Sequence, residues 1–452
     1  MRKLLIFLLA VLGILSSNAQ KSKYILSGPM LGHTELRTAK VWVEFKKGVI
    51  SAAIFVKDKS APGKKRLVEK IALSGNDFNT ATFTLSGLEP NTTNRYYISV
   101  NNLFIDSGNV TTQNLWQWRG APGDFGFITG SCAYFNEPVY DRPGKPYGGD
   151  STIFRTMGRD ITQFMLWLGD NWYTRESDFF SDWGLHYRAQ RDRSVPILQD
   201  LLKSVPQYAI WDDHDYGPND ADKSYVLKNT SREVFMKYWA NPSYGFNNQG
   251  VYTSFSWNDV DFFLLDDRWF RSNDKMKDTI DGKPNLEKKM FGDEQMAWLK
   301  NALLLSNGNA NTSFRVIATG SQVLNPMSPN DCFRHFSAEY NDLMQFIADN
   351  KINGLVFITG DRHHSEIIRS ERSNAYPLYD ITVSPLTSGV SATRGNEINN
   401  PSRIGKEIDE QNYARVLFTG SKENRKMTVE FVDVVGKLLS TWSISLAEIS
   451  FK

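Results

Sequence analysis

Cysteine is nearly absent: Cys132 and Cys332 are the two such residues in 452. A disulfide-stapled scaffold is thereby excluded, because one bridge at most can form. An excess of one charge sign is missing too, since 52 Lys and Arg face 50 Asp and Glu and leave +2. Nothing in that balance suggests nucleic acid as a binding partner or an anionic membrane surface. After the N-terminal segment, no apolar run approaches the roughly 20 uncharged residues of a membrane span. Internal repeats and low-complexity tracts are also lacking. What remains is a chain that is 41% hydrophobic and long enough for two or three domains with sizeable cores.

The N-terminus has its own signature. Arg2 and Lys3 precede the apolar residues 4–15, and the small residues Ser17, Asn18 and Ala19 follow. A basic start, a short apolar stretch and an A-x-A-like site read as a signal peptide over residues 1–19. Gln20 stands where a lipoprotein would need cysteine. The expectation is a secreted or periplasmic protein without a membrane span.

Residues 22–113 read as a small all-β domain. Residues 39–45, 52–56, 81–85, 96–100 and 109–112 carry apolar and β-branched side chains in partial alternation, separated by turn-rich stretches at 59–64 and 89–94. Several short strands at this spacing predict an immunoglobulin or fibronectin type sandwich. His33 is its one histidine, and a structural role is expected for it.

Residues 124–450 read differently. Apolar runs at 125–129, 164–168, 207–211, 262–265 and 355–359 stop abruptly in polar clusters. Such runs predict strands buried on both faces. Helices are expected between them, at 152–160, 183–202, 231–239, 292–305 and 337–350. Alternating strands and helices make an α/β domain with its chemistry at the carboxyl ends of the strands. Residues 414–449 return to β character and should extend the same sheets.

The residues past those strands carry the argument. Cys132, Asp170, Asp213, His214, Asp266, Asp361, His363 and His364 all follow a predicted buried strand. A single Asp in that place is ordinarily a turn or a helix cap. Five clusters in equivalent places would deliver a thiolate, carboxylates and imidazoles to one sheet edge. Mixed S, O and N donors suit transition metals. Two ions about 4 Å apart activate water and clamp phosphoryl oxygens. The run Gly169-Asp170-Asn171-Trp172-Tyr173 also resembles the GDxxY motif of purple acid phosphatases, in which the phenolate binds ferric iron.

Five motifs occur in order: Gly130-Ser131-Cys132, Gly169-Asp170-x-x-Tyr173, Trp211-Asp212-Asp213-His214-Asp215, Leu265-Asp266-x-Arg268 and Gly360-Asp361-x-His363. Together they resemble the PhoD-type alkaline phosphatases of the metallophosphoesterase superfamily. Ser27-Gly28-Pro29 and Val41-Trp42-Val43 extend the likeness into the β domain. The resemblance implies a four-layer α/β/β/α sandwich, preceded by a small Ig/fibronectin-like domain, so the sheets should be partly mixed. It also implies a dinuclear centre. Cys132, Asp170, Tyr173 and His363 would hold Fe3+, Asp170 would bridge, and Asp213 with Asp361 would hold Ca2+ or another divalent ion. His214 would face the substrate. Arg268 is a candidate phosphoryl clamp, with an ion pair to Asp266 or Asp267 as the alternative. Asn171 stands where some relatives place a phosphate-touching arginine. The superfamily's additional histidine has no clear match, and His335 and His186 read as structural.

The activity so implied is phosphate-ester hydrolysis by a hydroxide bridging the two metals. A phosphodiesterase or phospholipase would use the same centre. A non-catalytic surface binding protein leaves the strand-end clusters unexplained. A carboxylate-pair glycosidase leaves Cys132 and Tyr173 idle. A Cys132–Cys332 disulfide would contradict the proposed site.

Overall fold

The computed structural model describes residues 23–57, 63–329 and 331–452. The expected signal peptide lies outside these residues, as does most of the 59–64 turn. The chain divides into two compact units. Among the described residues, one holds those up to Leu115 with Arg193–Gln207 and Lys237–Ala240, and the other holds the remainder.

The first unit is a β-sandwich of a three-stranded sheet and a four-stranded sheet. Ile25–Thr34, Thr38–Phe45 and Asn79–Ser86 form one sheet, and Lys65–Ala72, Ser51–Lys57, Thr93–Val100 and Leu103–Thr111 form the other, each in that spatial order. Ser51–Lys57 alternates buried and half-exposed side chains, as a strand with one covered face should. Val41, Val43, Ile54, Phe83, Tyr96 and Ile98 lie in its core. Two later excursions of the chain join this unit through specific bonds. Gly28 N–H donates to Gln199 Oε1 at 2.8 Å, Trp42 Nε1–H donates to Lys237 O at 2.7 Å, and Tyr238 OH donates to Glu44 at 2.9 Å.

The second unit contains two mixed sheets. In the six-stranded sheet the order is Gln207–Ile210, Phe164–Leu168, Phe125–Gly130, Asn412–Thr419, Lys426–Asp433, Leu438–Ser445. Phe125–Gly130 runs parallel to Phe164–Leu168 and antiparallel to Asn412–Thr419. The seven-stranded sheet has the order Thr253–Trp257, Val260–Leu264, Phe314–Thr319, Leu355–Thr359, Leu378–Thr382, Ser365–Ser370, Arg403–Ile408. Its three central pairings, from Val260–Leu264 to Leu378–Thr382, are parallel. Phe127 stacks on Phe164 at 4.8 Å and meets Phe262 of the other sheet edge-on at 5.4 Å. Each fully buried Phe, Leu or Ile there contributes about 1.5–3 kcal/mol. Met296, Leu299 and Leu303 of the helix Gly292–Gly308, with Leu343 and Ile347 of Ser337–Asp349, join the same core. The fold is the four-layer α/β/β/α arrangement, with an all-β region before it.

Two expectations need correction. The single helix predicted over 183–202 is broken into Asp182–Arg193, a short 3-10 turn at Pro196–Leu198 and Gln199–Ser204. Pro196 has no N–H and pushes Val195 into extended backbone, at φ −55° and ψ 125°. The central strand Phe314–Thr319 was not expected, because Arg315 interrupts its apolar run. That arginine is buried, and its guanidinium donates to Asn353 O and Ser306 O at 2.7 and 2.6 Å.

Candidate metal centre

The strands of both sheets end in a common rhythm. Two residues past Phe125–Gly130, Phe164–Leu168, Gln207–Ile210, Val260–Leu264 and Leu355–Thr359 stand Cys132, Asp170, Asp212, Asp266 and Asp361. Phe314–Thr319 and Leu378–Thr382 add Ser321 and Ser384 in the same place. Cys132, Asp170, Asp361 and His363 have φ of 61°, 52°, 65° and 60°, a left-handed backbone that non-glycine residues avoid. Close approach of the turns depends on glycine. A Cβ on Gly169 would lie 2.6 Å from Asp212 Cβ, at a φ of +87°.

Most of the expected ligands converge. The ligand atoms of Cys132, Asp170 and His363 lie within 4.8 Å of one another, and so do those of Asp170, Asp213 and His214. A third group, Asp212, Asp213 and Asp361, meets the same limit. Cys132 Sγ is 3.5 Å from Asp170 Oδ2 and accepts from Ser384 Oγ at 3.2 Å. Asp170 Oδ1 accepts the His214 N–H at 3.3 Å, and Asp213 Oδ2 accepts the Asp220 N–H at 2.7 Å. Tyr173 packs with Cys132 and lies against the His214 ring at 4.1 Å between centroids, tilted by 30°. His363 Nδ1 meets Gly389 O at 2.7 Å and Ser388 Oγ at 2.9 Å, whereas Nε2 has the Tyr147 hydroxyl at the longer distance of 3.4 Å.

Other expected residues are placed otherwise. Asp266 accepts from Trp211 Nε1 at 2.7 Å and from the backbone of Val251, Arg268 and Trp269, so both its oxygens serve the scaffold. Arg268 is fully buried, and its Nε donates to Asp212 Oδ1 at 2.5 Å, with Asp267 at 4.0 Å. Its ion pair therefore goes to Asp212 and not first to Asp266 or Asp267. Asn171 Nδ2 donates to Ile210 O at 2.8 Å, and its Oδ1 is buried without a partner. His364 is buried, with Nδ1 2.9 Å from Ser391 O and Nε2 3.6 Å from Glu366. Asn219 is exposed. Cys132 and Cys332 are both free thiols.

Several contributors were not visible in the sequence. Ser384 bonds both Cys132 Sγ and, through its Oγ, the His363 N–H at 2.9 Å. Asp212, adjacent to the expected Asp213, joins the cluster, and Asp220 stands beside it. Burial, then Asp331 and Asp213, push the Asp220 carboxyl up to about 6. The signal that could have exposed Ser384 is its place two residues past a strand.

The electrostatics are those of a site built around positive charge. Burial raises Asp170, and Asp213, Asp215 and Asp361 add repulsion. Burial likewise raises Asp361, with Asp331 and Asp213 adding to it. Asp213 is pushed up by burial but ends lowered, because His214, Arg268 and the Asp220 amide more than offset it. Arg268 is a fully buried cation beside Asp213 and is committed to Asp212, while Arg362 offsets Asp361 ahead of it. Tyr173 OH, His214 Nδ1 and Asp212 Oδ2 are buried without hydrogen-bond partners. Buried donors and acceptors are rarely left so.

Comparison with known proteins fixes the family. The profile of the PhoD-like phosphatases matches residues 127–431, more than half of the chain. The chain belongs to the PhoD-like phosphatase family. It is 22% identical over 324 residues to alkaline phosphatase D of Bacillus subtilis (strain 168), covering 62% of this chain. That match spans about half, 52%, of the Bacillus protein. A solved structure of PhoD superposes with a TM-score of 0.73 at 18% identity, over 94% of this chain and 91% of that one. The purple acid phosphatase PPD1 from yellow lupin (Lupinus luteus) seeds gives 0.65 at 11% identity, over 92% and 74%. These likenesses show that the fold is shared. For a PhoD-like phosphatase a metal centre is implied, and the cluster fits one. It offers soft sulfur, imidazole and several carboxylate oxygens, and its orphaned polar atoms turn toward no protein partner.

Proposed function

We propose that this PhoD-like protein is a secreted phosphoric ester hydrolase whose centre joins two cation positions through Asp170. The observation that carries this reading is the convergence of Cys132, Asp170 and His363 with Asp213 and Asp361 at the ends of buried strands. Cys132, Asp170, Tyr173 and His363 would hold one ion, and Asp170, Asp213 and Asp361 would hold the other. A thiolate with a phenolate suits Fe3+, and a set of carboxylates suits a hard divalent ion such as Ca2+. When bound, the two cations neutralise the phosphoryl oxygens and lower the pKa of an attacking water.

The chain's own residues supply the rest. Ser384 and Ser131 orient the Cys132 thiol, with oxygens 3.2 and 3.5 Å from its sulfur. Gly389 and Ser388 fix the His363 ring. His214, lying against Tyr173 with its Nδ1 unpartnered, is the group that holds or releases a proton at the leaving oxygen. Arg268 anchors Asp212, and its Nη1, buried without a partner, remains a donor for a phosphoryl oxygen. Asn171 braces the turn above Ile210.

The test is elemental analysis and a visible spectrum of the mature protein, with hydrolysis of nitrophenyl phosphate and bis-nitrophenyl phosphate compared. About one iron per chain, a tyrosinate charge-transfer band and turnover of the monoester support the reading. Faster turnover of the diester moves the protein to the phosphodiesterases. Absence of metal and of both activities overturns the proposal.

A further inference from the structure

The segment 136–149, between the first two site-bearing strands, is tied down at both ends. Asn136 Nδ2 donates to Gly148 O at 2.8 Å, and Gly148 N–H returns to Asn136 Oδ1 at 2.9 Å. Gly149 N–H donates to Thr387 O at 2.6 Å. Within the segment, Asp141 accepts from Tyr134 OH at 2.7 Å and from Glu137 N–H at 2.6 Å, and it pairs with Arg175 at 3.1 Å.

This frame sets Tyr147 against the ligand cluster. Its hydroxyl lies 3.4 Å from each ring nitrogen of His363. Its ring centroid is 6.0 Å from that of His363, 6.3 Å from Tyr173 and 4.9 Å from Tyr134. Gly389, whose carbonyl meets His363 Nδ1, leaves space for the ring, since a Cβ there would stand 2.9 Å from Tyr147 Cε2. Even so, Tyr147 is 45% exposed, so it borders both the cluster and solvent. At 3.4 Å a hydroxyl contact is too long to be a strong hydrogen bond, which leaves the O–H proton available. On the same segment Arg142 is exposed and makes no ion pair among the described residues, and its charge reaches both Tyr147 and His214. A phenol donor and an uncommitted guanidinium at the mouth of a phosphoesterase site both favour an anion.

We propose that Tyr147 is a substrate-binding residue whose hydroxyl donates to a phosphoryl oxygen held at the Cys132–Asp170–His363 end of the cluster. The proposal rests on the phosphoesterase reading above. The test is Tyr147→Phe in the mature, metal-loaded chain, with inorganic phosphate as the probe in calorimetric titration. A hydrogen bond to a charged group predicts a dissociation constant raised about 10-fold or more. Metal content and visible spectrum should be unchanged, because Tyr147 acts on the anion and not on the ion. Equal phosphate affinity in the variant and the wild type overturns the Tyr147 proposal alone. Loss of metal in Tyr147→Phe overturns it too, by making the residue part of the metal site. A metal-loaded wild type that neither binds phosphate nor cleaves the nitrophenyl ester overturns the phosphoesterase reading, and the role of Tyr147 with it.

Discussion

Asp170→Asn should change stability in opposite directions with and without metal. Asp170 is 1% exposed, and its oxygens lie within 4.8 Å of ligand atoms of Asp213. At that distance and an effective dielectric constant of about 20, the repulsion between two carboxylates is about 3 kcal/mol. Proton uptake relieves part of it, because burial and the neighbouring carboxylates raise the Asp170 pKa. Asparagine has the same shape and can still accept the His214 N–H, but it carries no charge. The metal-free variant should therefore be more stable than metal-free wild type by about 1–3 kcal/mol. With metal present the sign reverses. If binding weakens by about 100-fold, the loaded protein loses roughly 3 kcal/mol of ligand-linked stability. Urea denaturation of both proteins, in chelator and in saturating metal, measures all four values, and nitrophenyl phosphate turnover should fall with the metal. A variant less stable in chelator, with the same metal-dependent gain as wild type, would refute the electrostatic reasoning.

Cys132→Ser should abolish the iron and the charge-transfer band while the fold survives, because Ser131, Ser384 and the Asp361 carbonyl can accept or donate to a buried hydroxyl there; elemental analysis and circular dichroism check both halves. Glu339→Ala should destabilise by about 2–4 kcal/mol in urea, since its carboxylate accepts the N–H groups of Met290, Phe291 and Gly292 at 2.6, 3.1 and 2.8 Å, where the helix Gly292–Gly308 begins. His33 is held at about 4, first by burial and then by Lys40, against a usual value near 6.5. The folded chain thus resists a proton that the unfolded chain takes, so stability is unaffected above about pH 6.5 and falls towards pH 4, by about 3 kcal/mol at most. Denaturation profiles of wild type and His33→Gln across that range should converge at low pH, and parallel curves would show that His33 is not responsible.

The parts of the fold that could be read from sequence are those with one local cause. Phe164–Leu168 and Leu355–Thr359 are unbroken apolar runs closed by Gly-Asp, so strand, burial and a carboxylate just past the strand end all follow from a few residues. Cys132, Tyr173 and His363 stand out in the sequence because their chemistry is unusual at a strand end. Phe314–Thr319 was hidden by a buried Arg315 whose acceptors lie far along the chain. Asp212 and Asp213 are neighbours of the same type, and tertiary contacts separate them, since Asp212 takes Arg268 and Asp213 takes the Asp220 amide. Asp266 looked like a ligand, yet it is saturated by four N–H donors that sequence spacing cannot reveal. Tyr147 and Ser384 reach the site through tertiary contacts alone. The 183–202 helix is broken for a local reason, Pro196, which lacks an N–H and turns Val195 to extended backbone.

What holds the cluster together without an ion is the lacing of the strand-end turns. The Ala133 N–H donates to Asp170 O at 2.8 Å, Gly360 N–H to Gly320 O at 2.8 Å, and Leu386 N–H to Ser131 O at 2.8 Å. The amides of Thr387 and Ser388 both donate to Cys132 O, at 3.2 and 3.1 Å, so the turns of the two sheets are bonded to each other. Each such bond contributes about 0.5–1.5 kcal/mol net. Left-handed backbone at Cys132, Asp170, Asp361 and His363 costs about 1–3 kcal/mol apiece, which these bonds and the strands behind them offset. The scaffold can therefore keep its carboxylates crowded before any cation arrives. Crowding is then an electrostatic penalty borne by the metal-free protein and removed by the ion, which is why deleting one charge at Asp170 should help the empty site and harm the filled one.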